Sequence, residues 1–373
     1  HFVEAMNNLG LDLKNLGRLR DALAYFEKAL HLQPSFFDAK LNKATVLLAL
    51  HEDQEASNLL VQLLKIAPDH PMVLANLGSA HLKTQDPRAA LEHFQEARKL
   101  LANNLEITRG YIASIAALKD WKALIDEEKN LPLNLLNDPQ IKDLVFKAFL
   151  NTCEWQSVNS LISQAKEFSS PLNSLCVIED AKCLKDNIIQ WSNINTKTHG
   201  EIKFLHENKK IRVGYISPDF RSHPISYLTK TIFDHHDPSS FEIHGISIDR
   251  FPPANDPYRE HIAKACHEFH EFGNLDDNAL ITQLRKLNFD VLIDLCGHTN
   301  DSRTCFLAAR CAPIQIQYLG FPGTMGTSYI DYTIGDPIIT PKTHLINYTE
   351  KIISLPECFQ ANDDQRAIAA TAS

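Results

Sequence analysis

The stretch GLDLKNLGRLRDALAYFEKALHLQP, residues 10–34, returns twice in altered form: ATVLLALHEDQEASNLLVQLLKIAP at 44–68 and GSAHLKTQDPRAALEHFQEARKLLA at 78–102. Each step is 34 residues. Gly10, Ala44 and Gly78 share one column, and Ala22, Ala56 and Ala90 another. Phe26, Leu60 and Phe94 form a third, and Ala29, Leu63 and Ala97 a fourth. Pro34 and Pro68 close the first two units, with Ala102 in the same place in the third. Small residues let two helices approach closely, and the large apolar column fills the gap between neighbouring units. Proline stops each second helix, because it lacks the N–H that the next turn needs.

Three registered units of this length resemble the tetratricopeptide repeat, in which helix pairs stack into a solenoid whose concave side binds extended chain. Asn8, Asn42 and Asn76 also fall one period apart, two places before the small column. A carboxamide both donates and accepts, so the row is read as a ladder for the backbone of a protein or peptide acceptor. Surface or inter-repeat amides without a ligand are the alternative. The chain opens at His1 inside the first helix of a unit, which is read as a solenoid cut at its N-terminal side. From about residue 103 the pattern fades while helical periodicity persists. Leu118, Trp121, Leu124 and Ile125 mark one apolar face, and Trp155, Val158 and Leu161 another. Residues 1–102 are therefore assigned to the repeats and 103–200 to degenerate repeats or a helical bridge. Asn193 to Lys210 is read as a linker, 201–364 as an α/β lobe and 365–373 as a disordered tail.

A chain of 373 residues with net charge −9 and 44% apolar residues has room for two or three domains and shows no dominant basic patch, so nucleic acid is not an expected partner. It contains no transmembrane run and no secretory signal, which points to the cytoplasm. The eight cysteines lack zinc-like spacing. Cys296, Cys305 and Cys311 cluster in sequence without a convincing ligand set, so reduced thiols and no metal are expected.

The second half alternates strands with helices. Strands are predicted at Ile211–Ile216, Phe241–Ile248, Asp290–Leu295, Ile314–Tyr318, Tyr332–Ile334 and Lys351–Leu355. Helices are predicted at Tyr227–Phe233, His261–Cys266 and Leu280–Leu287. Such alternation specifies a mostly parallel sheet whose chemistry gathers in loops beyond the strand C-termini. Three segments hold those places: Asp219–Pro224, Cys296–Arg303 and Gly320–Gly326. The last reads Gly-Phe-Pro-Gly-Thr-Met-Gly. It is neither a Walker loop nor a dinucleotide fingerprint, which leaves a phosphate-contacting loop or a tight structural turn.

Several of these segments together resemble the catalytic region of the O-linked N-acetylglucosamine transferases and the related plant O-fucosyltransferase. They are Arg212-Val213-Gly214-Tyr215-Ile216-Ser217-Pro218-Asp219-Phe220 with His223-Pro224 close behind, Asp294-Leu295-Cys296-Gly297-His298-Thr299, and Ala312-Pro313-Ile314-Gln315. Leu319-Gly320-Phe321-Pro322-Gly323-Thr324 with Gly326 follows, then Asp331-Tyr332, Asp336, Pro341 and the run from Glu350-Lys351 to Leu355-Pro356-Glu357. The matching run covers about residues 211–360, and tetratricopeptide units before it are that family's arrangement.

The resemblance implies an all-α solenoid followed by a Rossmann-like α/β lobe, the N-terminal half of a GT-B fold. It implies inverting transfer of N-acetylglucosamine from UDP-N-acetylglucosamine to Ser or Thr hydroxyls of proteins, with no metal and no further cofactor. His223 then matches the first-lobe histidine near the transfer centre. Asp219 orients that loop or the histidine, or caps the next turn, and His298 and Thr299 line the same cleft. Gly323 and Thr324 lie near the donor phosphates or sugar; Arg303 receives no role. In that family a second, nucleotide-binding lobe follows the Leu355-Pro356 segment, and its counterpart is not found in this sequence. The expectation is a chain inactive alone, with exposed interlobe surface that drives self-association. A peptide-binding module with a vestigial half-lobe and a fucose-transferring relative are the alternatives.

Overall fold

The computed structural model describes residues 2–164, 170–195, 209–299 and 302–366, and the chain divides into two compact units between Ser169 and Ser170. His1, most of the linker and the tail beyond 366 lie outside the described residues.

The first unit is built from helical hairpins. α1 (Phe2–Asn15) pairs with α2 (Leu19–Leu32), α3 (Phe37–Ala49) with α4 (Asp53–Ile66) and α5 (Pro71–Lys83) with α6 (Pro87–Leu100). α7 (Leu105–Ala117) and α8 (Trp121–Glu128) follow, then the short α9 (Leu133–Leu136) and the pair α10 (Pro139–Thr152) and α11 (Trp155–Gln164). The packing explains the sequence columns. A Cβ on Gly10 would lie 2.5 Å from the Phe26 ring, and one on Gly78 would lie 2.7 Å from the Phe94 ring. Where Ala44 replaces glycine, the facing position is Leu60 rather than phenylalanine. Two volumes are being conserved in sum, as close packing requires.

The period survives in the backbone after it fades in the side chains. Gly17, His51, Gln85, Lys119 and Cys153 all have positive φ, between 57° and 75°, and each turns the chain from the first helix of a pair into the second. Leu124 and Val158 occupy the column of Ala22, Ala56 and Ala90, and all five are fully buried. Ile112 and Phe146 stand where Gly10, Ala44 and Gly78 stood. Large and small have been redistributed across the interface, which hides the repeat from a column count. Trp155 is 55% exposed, so Val158 rather than the indole anchors the last helix.

The second unit begins earlier than residue 201. α12 (Pro171–Leu175) and α13 (Ala181–Asn195) pack against the α/β lobe: Ile188 is buried in the same apolar cluster as Ile216, Ile246 and Leu292. The helical bridge expected up to residue 200 thus ends in two helices of the lobe itself, and Asn193–Asn195 belong to α13 rather than to a linker. The sheet has seven parallel strands: β1 (Ile211–Ser217), β2 (Phe241–Ser247), β3 (Glu268–Glu271), β4 (Val291–Asp294), β5 (Ile314–Gln317), β6 (Tyr332–Gly335) and β7 (Lys351–Ser354). Their order is β3-β2-β1-β4-β5-β6-β7.

α14 (Pro224–Thr229), α15 (Ile232–His235) and α16 (Pro257–Ala265) follow β1 and β2, while α17 (Asp277–Lys286) precedes β4 and α18 (Cys305–Ala308) precedes β5. Side chains alternate between the two faces, as in any strand. Tyr215 joins Phe220, Phe233 and Ile262 on one face, and Ile216 joins Leu280, Leu284 and Phe289 on the other. Both faces are covered, as an all-parallel sheet requires.

Two expectations need correction. The helix expected over Tyr227–Phe233 is broken into α14 and α15 at Lys230–Thr231. The Thr229 hydroxyl bonds back to the Ile225 carbonyl at 2.8 Å, a pattern that weakens helix continuation. β3 was missed because its four residues, Glu-Phe-His-Glu, hold one apolar side chain and sit on the sheet edge.

Candidate functional site

Between β1 and β4 the strand order reverses, since β2 lies on one side of β1 and β4 on the other. Open parallel sheets bind ligands in the crevice at the C-terminal ends of strands at such a point. The register sets Ile216 beside Asp294 and Asp294 beside Gln317, so the loops after β1, β4 and β5 leave the sheet side by side. These loops carry His223 and Asp219, His298 and Thr299, and Gly323 and Thr324.

After β1 the chain turns on polar contacts. The Ser217 hydroxyl accepts from the Asp219 N–H at 2.9 Å, and the Ser226 hydroxyl donates to the Asp219 carbonyl at 2.7 Å. Asp219 is buried, and its carboxylate accepts from Arg221 at 3.2 Å, whose second nitrogen reaches Asp249 at 3.3 Å. Asp256, which caps α16, also accepts the Ser222 N–H at 2.7 Å. His223 caps α14: its Nδ1 accepts from the Ile225 N–H at 3.3 Å and lies 3.7 Å from Asp219 Oδ2. The side chain is 38% exposed. With Nδ1 accepting, the neutral ring carries its proton on Nε2 and has a donor to offer.

After β4 the Asp294 carboxylate accepts the Cys296 N–H at 3.0 Å and the Gly297 N–H at 2.9 Å. Burial pushes its pKa up to about 6, against the lowering effect of those two amides. Gly297 has φ +61°, and a Cβ there would lie 2.5 Å from Phe321 Cβ, so this turn demands glycine twice over. The turn delivers His298 into the core. Its Nε2 lies 2.8 Å from the Met325 carbonyl, which makes Nε2 the protonated nitrogen, and its Nδ1 is buried without a hydrogen-bond partner among the described residues. Trp191 and Phe321 meet the ring edge-on. Burial lowers its pKa to about 4, so the ring is neutral at physiological pH. Thr299 is half-buried and donates to the Cys296 carbonyl at 3.0 Å.

After β5, a Cβ on Gly320 would lie 2.3 Å from the Leu295 carbonyl oxygen, so only glycine lets the two loops come this close. The hydroxyl of Thr324 donates to Glu350 at 2.8 Å and accepts from the Gly326 and Thr349 N–H groups at 3.2 and 3.1 Å. Glu350 also accepts from the Met325 N–H at 2.7 Å. Thr324 is thus buried, with its hydroxyl committed to the loop, while Gly323 is half-buried against Phe321. α13 closes the arrangement: Ser192 donates to the Met325 carbonyl at 3.0 Å, and a Cβ on Gly326 would lie 2.8 Å from Ile188.

The residues missed from sequence are those that hold this site. Asp294 and Glu350 fell inside the quoted motifs, but only burial shows them as the acceptors that shape two loops. Ser192 carried no signal. Arg303 pairs with Asp277 at 2.6 Å. In the first unit Asn8 is exposed, Asn42 donates to Asn7 at 2.9 Å, and Asn76 is buried and donates to Thr45 at 2.9 Å. Both bonds join neighbouring repeats. Ile338 and Ile346 are 82% and 80% exposed, with Ile339 and Leu345 beside them in sequence. Among the described residues no helix is long and apolar enough to cross a membrane.

Residues 175–371, more than half of the chain, match the model of glycosyl transferase family 41, and residues 16–78 match a tetratricopeptide repeat model. The chain is 34% identical over 157 residues to the probable UDP-N-acetylglucosamine–peptide N-acetylglucosaminyltransferase SEC of Arabidopsis thaliana, a match covering 42% of this chain and 16% of that protein. It is 29% identical over 152 residues to the Arabidopsis protein of the same description called SPINDLY, covering 40% of this chain and 17% of that one. It is 28% identical over 166 residues to the UDP-N-acetylglucosamine–peptide N-acetylglucosaminyltransferase of Caenorhabditis elegans, covering 44% and 14%. Among solved structures, a Thermobaculum terrenum O-GlcNAc transferase mutant aligns over 96% of this chain and 58% of that one, with 16% identity and a TM-score of 0.45. The chain therefore spans less than a fifth of these curated relatives.

Proposed function

This chain belongs to glycosyl transferase family 41, and we propose that its α/β lobe contributes to moving N-acetylglucosamine from UDP-N-acetylglucosamine to a Ser or Thr hydroxyl of a protein held by the helical repeats. The observation that carries this reading is the convergence of the loops after β1, β4 and β5 at the point where the strand order reverses.

In such a transfer the acceptor oxygen bonds to the anomeric carbon as the bond from that carbon to the phosphate oxygen breaks. UDP leaves with the electron pair, and the hydroxyl proton must go to a base or to solvent. Charge grows on the leaving phosphate, so donors aimed at it lower the barrier. The capping bond at Nδ1 leaves His223 with a proton on Nε2, which supports it as a donor to an oxygen of the reacting groups. A turn of the ring that placed Nδ1–H on Asp219, now 3.7 Å away, would convert it to a base. His298 is buried, neutral and bonded to Met325, which supports a positioning role beneath the loop that carries Gly323 and Thr324. The Asn42 and Asn76 side chains are bonded to Asn7 and Thr45 of the preceding repeat, which supports the inter-repeat reading of that column over a peptide ladder.

The reading is tested by calorimetric titration of the protein with UDP-N-acetylglucosamine, UDP and a fucose nucleotide, together with transfer to protein acceptors. With a polypeptide carrying the family's second lobe supplied in trans, micromolar binding of the UDP compounds, and a loss of about 10²–10⁴-fold in transfer for His223→Ala, is the expected result. Preferred binding of the fucose nucleotide would shift the donor. Peptide binding without any nucleotide binding would replace the transferase reading with that of a peptide-binding module.

A further inference from the structure

We propose that His244, His270 and Glu268 form a binding site for a zinc-class divalent cation where the edge strand β3 joins β2. The inference is independent of the transferase reading, because these strands lie on the far side of β1 from β4 and none of the three side chains belongs to the crevice loops.

The register puts His244 opposite Glu268 and Ile246 opposite His270. Residues two apart on one strand share a face, so Glu268 and His270 rise on the same side as His244. His244 Nδ1 and His270 Nε2 are 3.1 Å apart. Glu268 oxygens lie 4.0 Å from His244 Nδ1 and, at the ring nitrogen of His270 that does not face His244, 3.7 Å from His270 Nδ1. One ligand atom from each residue falls within 4.8 Å of the other two. Tetrahedral zinc with bonds of about 2.0–2.1 Å separates its ligand atoms by about 3.3 Å. The two imidazole nitrogens already stand near that spacing. The Glu268 side chain is 58% exposed and can close the remaining gap by rotation.

The rings are held in advance. His244 and His270 are buried, their planes differ by 8°, and Phe289 and Phe272 pack against them. Arg212 on β1 is paired with Glu242 at 2.7 Å. The ring of His267 lies 5.6 Å from that of His244. A hydrogen bond between the two neutral rings is the competing arrangement at the same nitrogens, and zinc titration distinguishes the two. Two nitrogens and one carboxylate leave a fourth position for water, as in zinc sites built from two histidines and a glutamate. Imidazole with carboxylate suits zinc and its neighbours in the divalent series over calcium or magnesium. The consequence is mechanical. β3 has four residues and an open outer edge, and a cation would tie it to β2.

The test uses the whole chain with its exposed thiols Cys153, Cys176, Cys183 and Cys358 alkylated, so that they do not compete. Zinc chloride is titrated by calorimetry and by thermal unfolding, and cobalt(II) is followed by its visible absorption. The expected result is one ion per chain, a rise in Tm with zinc, and tetrahedral cobalt bands. Glu268→Gln, at an exposed position, should weaken zinc binding at least about tenfold and leave the metal-free Tm unchanged. His270→Ala should abolish binding. No saturable binding, or binding equal to the parent in either variant, overturns the site. If His270→Ala does not fold, the Glu268→Gln comparison decides alone.

Discussion

The Nε2–H of His298 donates to the backbone carbonyl of Met325 at 2.8 Å, tying the loop after β4 to the loop after β5. The ring is neutral because burial holds its pKa at about 4. A histidine lowered in this way contributes stability that is fully present above its ordinary pKa near 6.5. That contribution is lost as pH falls through about 4, where the buried ring must charge. Urea unfolding midpoints between pH 4 and 7 should therefore fall less steeply with acid in His298→Gln than in the parent. Parallel curves would show that His298 is not buried in its neutral form.

Asp294 works in the opposite direction. Its pKa is raised to about 6, so its contribution is fully present below the unfolded value near 3.8 and is lost as pH rises through about 6. Asp294→Asn removes the titration while keeping one acceptor for the Cys296 and Gly297 amides. The variant should be more destabilised relative to the parent at pH 4 than at pH 7, as read by paired denaturant curves. A difference that does not vary with pH would contradict the buried carboxylate.

Thr324 separates a loop-holding role from a ligand-contacting one. Thr324→Val leaves buried Glu350 without its 2.8 Å donor, which should cost about 1–3 kcal/mol of unfolding free energy. Thr324→Ser should recover most of it. If instead Thr324→Val unfolds like the parent but binds UDP-N-acetylglucosamine less tightly, the hydroxyl serves the donor and not the loop.

The glycine–phenylalanine packing of the repeats is also testable. Gly78→Ala places a methyl about where the Phe94 ring lies, 2.7 Å away, and should destabilise by about 1–3 kcal/mol. Adding Phe94→Leu reproduces the Ala44–Leu60 pair of the second unit and should return part of that loss. A double-mutant cycle in thermal or urea unfolding should show coupling above about 0.5 kcal/mol; strict additivity would argue that the ring moves aside.

The left-handed turns offer a cleaner backbone test. Gly17 has φ +75° and nothing within 4 Å of a Cβ, so Gly17→Ala should cost about 1–2 kcal/mol through φ alone. Lys119→Gly, at φ +57°, should be neutral or stabilising, because relief of that strain offsets the added freedom of the unfolded chain. Destabilisation by Lys119→Gly would mean that the lysine side chain holds the turn.

The strands β1, β2 and β4–β7 were legible because each carries at least two apolar residues, in a run or in alternation, bounded by turn residues, a signal contained within a few neighbours. The three site loops were legible for the same reason, as glycine, proline and polar clusters just past those runs. β3 was not, because an edge strand of Glu-Phe-His-Glu needs no apolar alternation to be held by β2. α12 and α13 were not, because their helical pattern says that a face is buried but not against what; Ile188 and Ser192 show that it is the loop around Met325.

The sequence by itself determined the first three repeats, the parallel α/β lobe and the positions of His223, His298 and Thr324 beyond its strands. Local pattern suffices there, since helix period, strand alternation and turn chemistry are set by residues close along the chain. Only the tertiary structure decided that the repeat turn continues to Cys153, that Thr324 faces Glu350, which nitrogen of His298 carries the proton, and that His244 meets His270. Each of these depends on volume, register or desolvation shared between residues distant in sequence, and none of those quantities is a property of one segment alone.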